Sequence, residues 1–270
     1  MKKYGRLILV VLMVFSLVFT AAGCNKTQTG DKTKKEAQVG EKTKEKVLKV
    51  GSETAYPPFE TQAKNGEYVG FDMDLIRAIG EAEGYKVEIV SLPFTGLIPA
   101  LKAGNIDAAI SAMTITDERK KSVDFSDPYI DSGQIIAIRS DDKRPISKPE
   151  DLKGLKVSVQ MGTTGQFEVE KIQKLDPKTE IKKFDSVDQA FAELANKGVD
   201  AAVVDLPVTA NYIATGHPEL KMVGKTFTSE KYGISVNKGN TEVYKVINDG
   251  LKKVKASGKY DEIYGKYFAK

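Results

Sequence analysis

From Val47 onward, short apolar runs alternate with stretches of helical period, the pattern of an α/β chain. "VLKVGS" reads as a buried strand. In the "DMDLIRAIGEAEG" that follows, Met73, Leu75, Ile76, Ile79 and Ala82 share one side of a helix that Gly84 can end. "KVEIVS" is a second strand, "TGLIPALKAG" a second helix and "IDAAIS" a third strand. The same plan then recurs: "EIVSLPFTGLIPALKAGNIDAAIS" from Glu88 lines up with "EIKKFDSVDQAFAELANKGVDAAVV" from Glu180, down to the Asp-Ala-Ala triplet. Two similar α/β lobes follow. Ahead of the second unit, "GLKVSVQMGTTGQFEVEKI" supplies a strand, a turn and a helix, and Ser186 with Gln189 fits a capping box. "SGQIIAIRS" and "KYGISVNKG" read as two extended crossings between the lobes, and "TEVYKVINDGLKKVKASGKYDEIYGKYF" as closing helices. Lobe one is expected over 47–134 and 233–270, lobe two over 135–232, with the two crossings as a hinge that lets them close on a ligand.

In α/β sheets, ligands sit beyond the carboxyl ends of the strands. The two Asp-Ala-Ala strands end at Ser111–Thr114 and at Asp205, which would then approach one cleft. Thr116 can cap the helix "DERKK", with Asp117 and Glu118 in its first turn. Arg119 gains nothing from the macrodipole there, but its planar fork suits a carboxylate. Asp205, across the cleft, suits an ammonium group. Together they match the two charged ends of a free α-amino acid. Two other arrangements stay open: Arg119 paired with Asp124 or Asp127, and Asp205 capping the helix that begins near Pro207. The turn "GTTGQ", Gly162–Gln166, follows a strand and opens a helix, so its amides can bind an anion or merely cap. It lacks the lysine of a P-loop, which disfavours nucleotide. Tyr56 and Phe94 follow strands one and two and offer flat walls to a ligand side chain, or equally belong to the core. Glu53 beside them favours a cationic head, unless it caps the loop that follows.

Composition changes this picture mainly at the N-terminus. At 270 residues and 41% hydrophobic content the chain can bury a real core, and its net charge of +4 comes partly from one lysine-rich segment. No basic stripe interleaved with aromatics appears elsewhere, so a nucleic-acid partner is not expected. Lys2, Lys3 and Arg6 precede an apolar run, Leu7–Phe19, too short for a comfortable membrane span. It ends in "TAAGC" at Cys24, the one cysteine, so no disulfide forms within the chain. Residues 1–23 resemble a bacterial lipoprotein signal, which implies a lipid on Cys24, although Ala21 stands where leucine is more usual; an ordinary signal cleaved near Ala22 is the alternative. Residues 24–46 are too polar to fold and are expected to be a flexible tether.

"AYPPFE", "YVGFDMDL", "GLIPAL", "DERKKSVDFSDPY", "GTTG" and "GKYDEIYGKYF" stand in an order and spacing that resemble the polar-amino-acid receptors of bacterial ABC importers, the family 3 solute-binding proteins, over Val47–Phe268. The resemblance implies a periplasmic-binding-protein fold and a site assigned residue by residue. Arg119 would hold the ligand α-carboxylate with the amides of Thr114 and Thr164. Asp205, the Thr114 hydroxyl and the Ala112 carbonyl would take the α-ammonium. Glu53, Tyr56, Phe94, Ser111 and Gln160 would surround the side chain. Glutamine receptors of this family tend to carry Asp at the place of Glu53, a basic residue at that of Gln160 and His at that of Val204. Those departures, with "VQMGTTGQ", favour arginine, with lysine, histidine and glutamine behind it.

The resemblance also implies an extracytoplasmic monomer, lipid-anchored to the cell membrane, whose partner is an ABC importer permease. An enzyme of the same fold is the competing class. The chain's one histidine, His217, falls in a loop, and neither a Ser-His-Asp set, a metal-ligand cluster nor a cofactor fingerprint appears. No enzyme activity, cofactor or metal is therefore expected. A sensor fused to a membrane span is the third class; no later apolar run in the sequence is long enough for one.

Overall fold

The computed structural model describes residues 45–268, so the expected signal (1–23), nearly all of the expected tether (24–46) and Cys24 lie outside the described residues. Chain order begins with β1 (Lys46–Ser52), then a small antiparallel sheet of β2 (Ala55–Tyr56), β3 (Glu60–Gln62) and β4 (Tyr68–Val69). Next come α1 (Phe71–Ala82), β5 (Tyr85–Ser91), α2 (Phe94–Ala103), β6 (Ala108–Ala109), α3 (Asp117–Lys120), β7 (Val123–Phe125) and β8 (Ile130–Ser132). A second set follows: β9 (Gln134–Arg139), β10 (Lys156–Gln160), α4 (Thr164–Leu175), β11 (Glu180–Phe184), α5 (Val187–Ala195), β12 (Ala201–Asp205), α6 (Leu206–Ala214) and β13 (Leu220–Val223). The chain returns through β14 (Glu230–Tyr232) to β15 (Ser235–Asn237), α7 (Thr241–Ala256) and α8 (Lys259–Phe268).

Two five-stranded sheets share one plan. The first runs β5-β1-β6-β15-β7 and the second β11-β10-β12-β9-β13. In each, the second strand in spatial order pairs in parallel with both neighbours, and the fourth pairs antiparallel with both of its own. The repeat read from the sequence thus becomes β5–α2–β6 in one lobe and β11–α5–β12 in the other. Each lobe buries its own apolar set: Leu48, Val50, Leu75, Ile76, Ile79 and Leu251 in the first, Ile136, Ile138, Val157, Val159, Val169 and Val203 in the second.

The crossings are shorter than the sequence reading has them. Between the lobes lie only β8 and β14, paired antiparallel from Ile130↔Tyr232 to Ser132↔Glu230. "QIIAI" is already a strand of the second sheet, because four successive buried residues, Ile135 to Ile138, need cover on both faces. Ser235 and Val236 in β15 belong to the first sheet for the same reason. One cap also differs: the Gln189 amide donates to the Ser186 hydroxyl at 3.5 Å, but the Gln189 side chain accepts from the Asp185 amide, one residue before the cap.

Candidate functional site

The first sheet presents the loop Ser111–Thr114 at the carboxyl end of β6. Ala112 there has a left-handed φ of 45°, a conformation a non-glycine residue holds only when its surroundings fix it. Two buried acids do so. Asp72 accepts from the Ala112 amide at 2.8 Å, and Glu60 accepts from the Ser111 hydroxyl at 2.7 Å, whose oxygen accepts from the Glu53 amide at 3.0 Å. The loop leads into α3, where the Thr116 hydroxyl accepts from the Arg119 amide at 3.1 Å, the cap the sequence suggests. Thr116→Ala is expected to cost about 1 kcal/mol, a drop of roughly 2–4 °C in Tm by calorimetry, and an unchanged Tm would contradict that role.

That cap sets Arg119 into the cleft, where it is only 8% exposed. Nη1 donates to the Thr114 carbonyl at 2.7 Å and Nη2 to the Gly162 carbonyl of the other lobe at 2.9 Å, while the Phe94 ring lies 5.2 Å from its guanidinium carbon. Neither alternative partner takes it: the guanidinium bonds go to those two carbonyls, and Asp124 holds Lys238 at 2.6 Å instead. Burial pushes the guanidinium pKa down, and the charges of Asp205 and Glu230 oppose that.

Asp205 begins α6 without capping it through its side chain. Its carboxylate turns into the cleft instead, accepting from the Tyr56 hydroxyl of lobe one, from Gln134 Nε2 at 3.0 Å and from Ser132 at 3.4 Å. Burial, then Glu230, raises its pKa to about 6, against the hydrogen bond of Tyr56 and the charge of Arg119.

The "GTTG" turn ends β10 and opens α4. Gly162 has φ +76°, and the Thr163 hydroxyl caps the helix by accepting from the Gln166 amide at 3.3 Å. Thr164, the first helical residue, keeps an amide with no intrahelical acceptor and gives its hydroxyl to Glu230 at 2.9 Å. The Gly162 amide is taken by Gln166 Oε1 at 2.8 Å, so the anion-binding face of the turn narrows to its later amides.

At the far wall Gln160 Nε2 donates to Glu53 at 2.7 Å across the cleft. Glu53 is 6% exposed, and burial raises its pKa to about 7, against the Gln160 hydrogen bond; the charge that adds to the rise is another acid, Asp188.

One nearly filled cavity, with a free volume of about 10 Å³, is lined by Glu53, Tyr56, Phe94, Ser111, Ala112, Thr114, Arg119, Gln160, Thr164 and Asp205, together with Thr163. All ten residues singled out in the folded part of the sequence therefore meet. Sequence reasoning missed Glu230 and Gln134. Glu230 is 7% exposed on β14 and accepts from Thr114 of one lobe at 2.7 Å and from Thr164 of the other at 2.9 Å. Period-2 alternation places it on the side of Tyr232, with Lys231 outward, and that was the available signal. Thr114, Thr164 and Glu230 also line a wider groove of about 960 Å³ that is open to solvent. His217 is not among these lining residues; it stacks on Tyr212 at 3.9 Å and meets Glu219 at 2.9 Å. Among the described residues no group of His, Cys, Asp and Glu could hold a metal, and no helix is long and apolar enough to cross a membrane.

The family model of bacterial extracellular solute-binding proteins, family 3, matches residues 48–270. The probable histidine-binding protein of Neisseria gonorrhoeae is 43% identical over 230 residues, covering 83% of this chain and 84% of that protein. An ancestral arginine-binding protein bound to arginine superposes with a TM-score of 0.79 at 47% identity, covering 82% of this chain and 98% of that one. An ancestral arginine-binding protein bound to glutamine gives a TM-score of 0.78 at 46% identity, covering 83% and 98%.

Proposed function

Because the chain belongs to the bacterial extracellular solute-binding proteins of family 3 and has their two-lobed periplasmic-binding-protein fold, we propose that it captures one free L-amino acid with a cationic side chain by lobe closure and delivers it to an ABC importer. Arginine is the favoured ligand, ahead of lysine, histidine and glutamine. The observation that carries this reading is Glu53: a buried carboxyl at the far wall whose charged influence is a second acid, so a ligand cation is what would complete it. The relatives named for histidine and arginine support a basic side chain, and the glutamine-bound ancestral protein keeps glutamine as the second reading. Gln160, beside Glu53, gives that second reading an amide to bond.

In this reading Arg119 grips the α-carboxylate with the free edges of its fork, aided by the amides of Thr114 and Thr164. Asp205, the Thr114 hydroxyl and the Ala112 carbonyl hold the α-ammonium, and Tyr56 and Phe94 flank the side-chain stem. Closure brings Asp205 and the "GTTG" turn onto a ligand first held by lobe one, and removal of water strengthens each charge contact. The role is that of a receptor and not of a catalyst, acting as a monomer at the outer face of the membrane.

Calorimetric titration of residues 44–270, stripped of bound ligand by unfolding and refolding, tests the assignment against arginine, lysine, histidine, glutamine and glutamate. Tight arginine or lysine binding supports it. Tight glutamine binding with none for arginine overturns the ligand and keeps the receptor; no binding at all overturns both. The lipid anchor on Cys24 belongs to the same proposal, and mass spectrometry of the mature N-terminus checks it: a diacylated Cys24 supports the anchor, an unmodified thiol removes it.

A further inference from the structure

Beneath the Ser111–Ala112 loop, Glu60 and Asp72 are both fully buried, and each leaves one carboxylate oxygen, Glu60 Oε2 and Asp72 Oδ1, without any other partner. The Asp72 amide donates to the carbonyl of Phe59, the residue before Glu60, at 2.9 Å, and the two acids hold the successive residues Ser111 and Ala112, which sets their carboxyl groups side by side. Two bare carboxylates cannot face one another in a dry core; one proton between them satisfies both orphaned oxygens at once. The outer oxygens are already committed. Asp72 Oδ2 accepts from the Ala112 amide at 2.8 Å and from the Tyr129 hydroxyl at 2.9 Å, while Glu60 Oε1 accepts from the Ser111 hydroxyl at 2.7 Å.

We infer that Glu60 is held as the neutral acid, donating Oε2–H to the Asp72 carboxylate, and that this pair is a positioning device that fixes the left-handed Ala112 and the Ser111 hydroxyl for ligand. The direction of the proton follows from the donor count: two donors stabilise an anion on Asp72 and one hydroxyl meets Glu60. Burial raises both pKa values, Asp72 to about 6 and Glu60 well above its ordinary range, the latter helped by the Asp72 charge. The titratable groups that act on or feel the pair are all acidic or phenolic: Glu53 beside β1, Tyr56 on β2, Tyr129 before β8 and Tyr260 on α8. None of these supplies a cation to hold a second negative charge. The ligand-side consequence rests on the reading of Ser111–Thr114 as a ligand-contacting loop; the shared proton does not.

Glu60→Gln and Glu60→Leu, made in the full chain, separate the proton from the bulk of the side chain. Glutamine reproduces both bonds, Nε2–H to Asp72 and Oε1 from Ser111, whereas leucine leaves Asp72 Oδ1 and the Ser111 hydroxyl unmatched. L-Arginine affinity in Glu60→Gln is expected within about threefold of the parent, and in Glu60→Leu to fall by about tenfold or more. With ¹³C-labelled glutamate carboxyls, one protonated signal at pH 7 should vanish in Glu60→Gln. Exchange of the Ala112 amide, read without ligand, should stay slow in Glu60→Gln and accelerate in Glu60→Leu. An ionised Glu60 at pH 7, or equal amide exchange in both variants, overturns the inference. If the parent binds no arginine, the ligand reading fails alone, and the carboxyl signal and the amide exchange still decide the pair.

Discussion

Arg119→Ala is expected to lower amino-acid affinity by about a thousandfold or more, the largest effect of any single substitution in the cleft. Two physical costs add. A ligand carboxylate enclosed between the lobes would lose a bidentate, charge-assisted partner, and truncating one member of such a buried pair costs about 2–5 kcal/mol, at about 1.4 kcal/mol per tenfold. The carbonyls of Thr114 and Gly162, which now accept from Nη1 and Nη2 at 2.7 and 2.9 Å, would lose their donors as well. The second of those bonds joins the lobes, so the variant also loosens closure itself. Arg119→Lys keeps the charge but not the fork, and should recover only part of the loss. Titration of both variants with the preferred amino acid checks this; near-normal affinity in Arg119→Ala would remove Arg119 from the site.

How far the sequence could foretell this site depended on what kind of pattern each residue left. The repeat around Glu88 and Glu180 was strong because strand, helix and strand each keep their own period, and it placed both Asp-Ala-Ala strand ends correctly in the two sheets. Thr116 was readable as a cap because capping is local, decided within three residues. Pairings made over distance were not. Arg119 had acids available at Asp124 and Asp127, and only the fold shows that Lys238, more than a hundred residues away, takes Asp124. The crossings were drawn too long because "QIIAI" and "ISV" look extended in either setting; burial on both faces, a tertiary property, assigns them to the sheets. Glu230 and Gln134 escaped for a related reason. Each lies in or beside a crossing, where the chain has no local motif; Glu230 takes partners from both lobes, Thr114 and Thr164, and Gln134 bonds Thr164 and Asp205 of the second lobe, contacts that only the tertiary fold creates. Glu60 and Asp72 stood inside quoted motifs, yet their proximity, and hence the proton between them, depends on β3 and α1 packing side by side.

Glu53→Gln is expected to lower arginine affinity by about a hundredfold at pH 8 while changing glutamine affinity by less than about threefold, so the ratio of the two ligands is the readout. The pH dependence carries the argument further. Without ligand the Glu53 pKa is about 7, raised chiefly by burial. A guanidinium against it favours the ionised form and lowers that pKa, so arginine binding releases a proton wherever Glu53 is still protonated in the free protein. Above pH 7 the carboxylate is already formed, and its contribution to affinity is flat. Below pH 7 each unit of acidity costs up to about 1.4 kcal/mol for the proton that must leave, so arginine affinity should rise by up to about tenfold per unit toward pH 7 and then level off. Glutamine carries no cation to drive the release, and its affinity should lack that rise. In Glu53→Gln the rise should vanish for arginine as well, since no proton remains to be displaced at that wall. Calorimetry in two buffers of different ionisation enthalpy measures the released proton directly. A proton release near pH 6 that persists in Glu53→Gln would assign it to another group, with Asp205, at a pKa of about 6, the next to test.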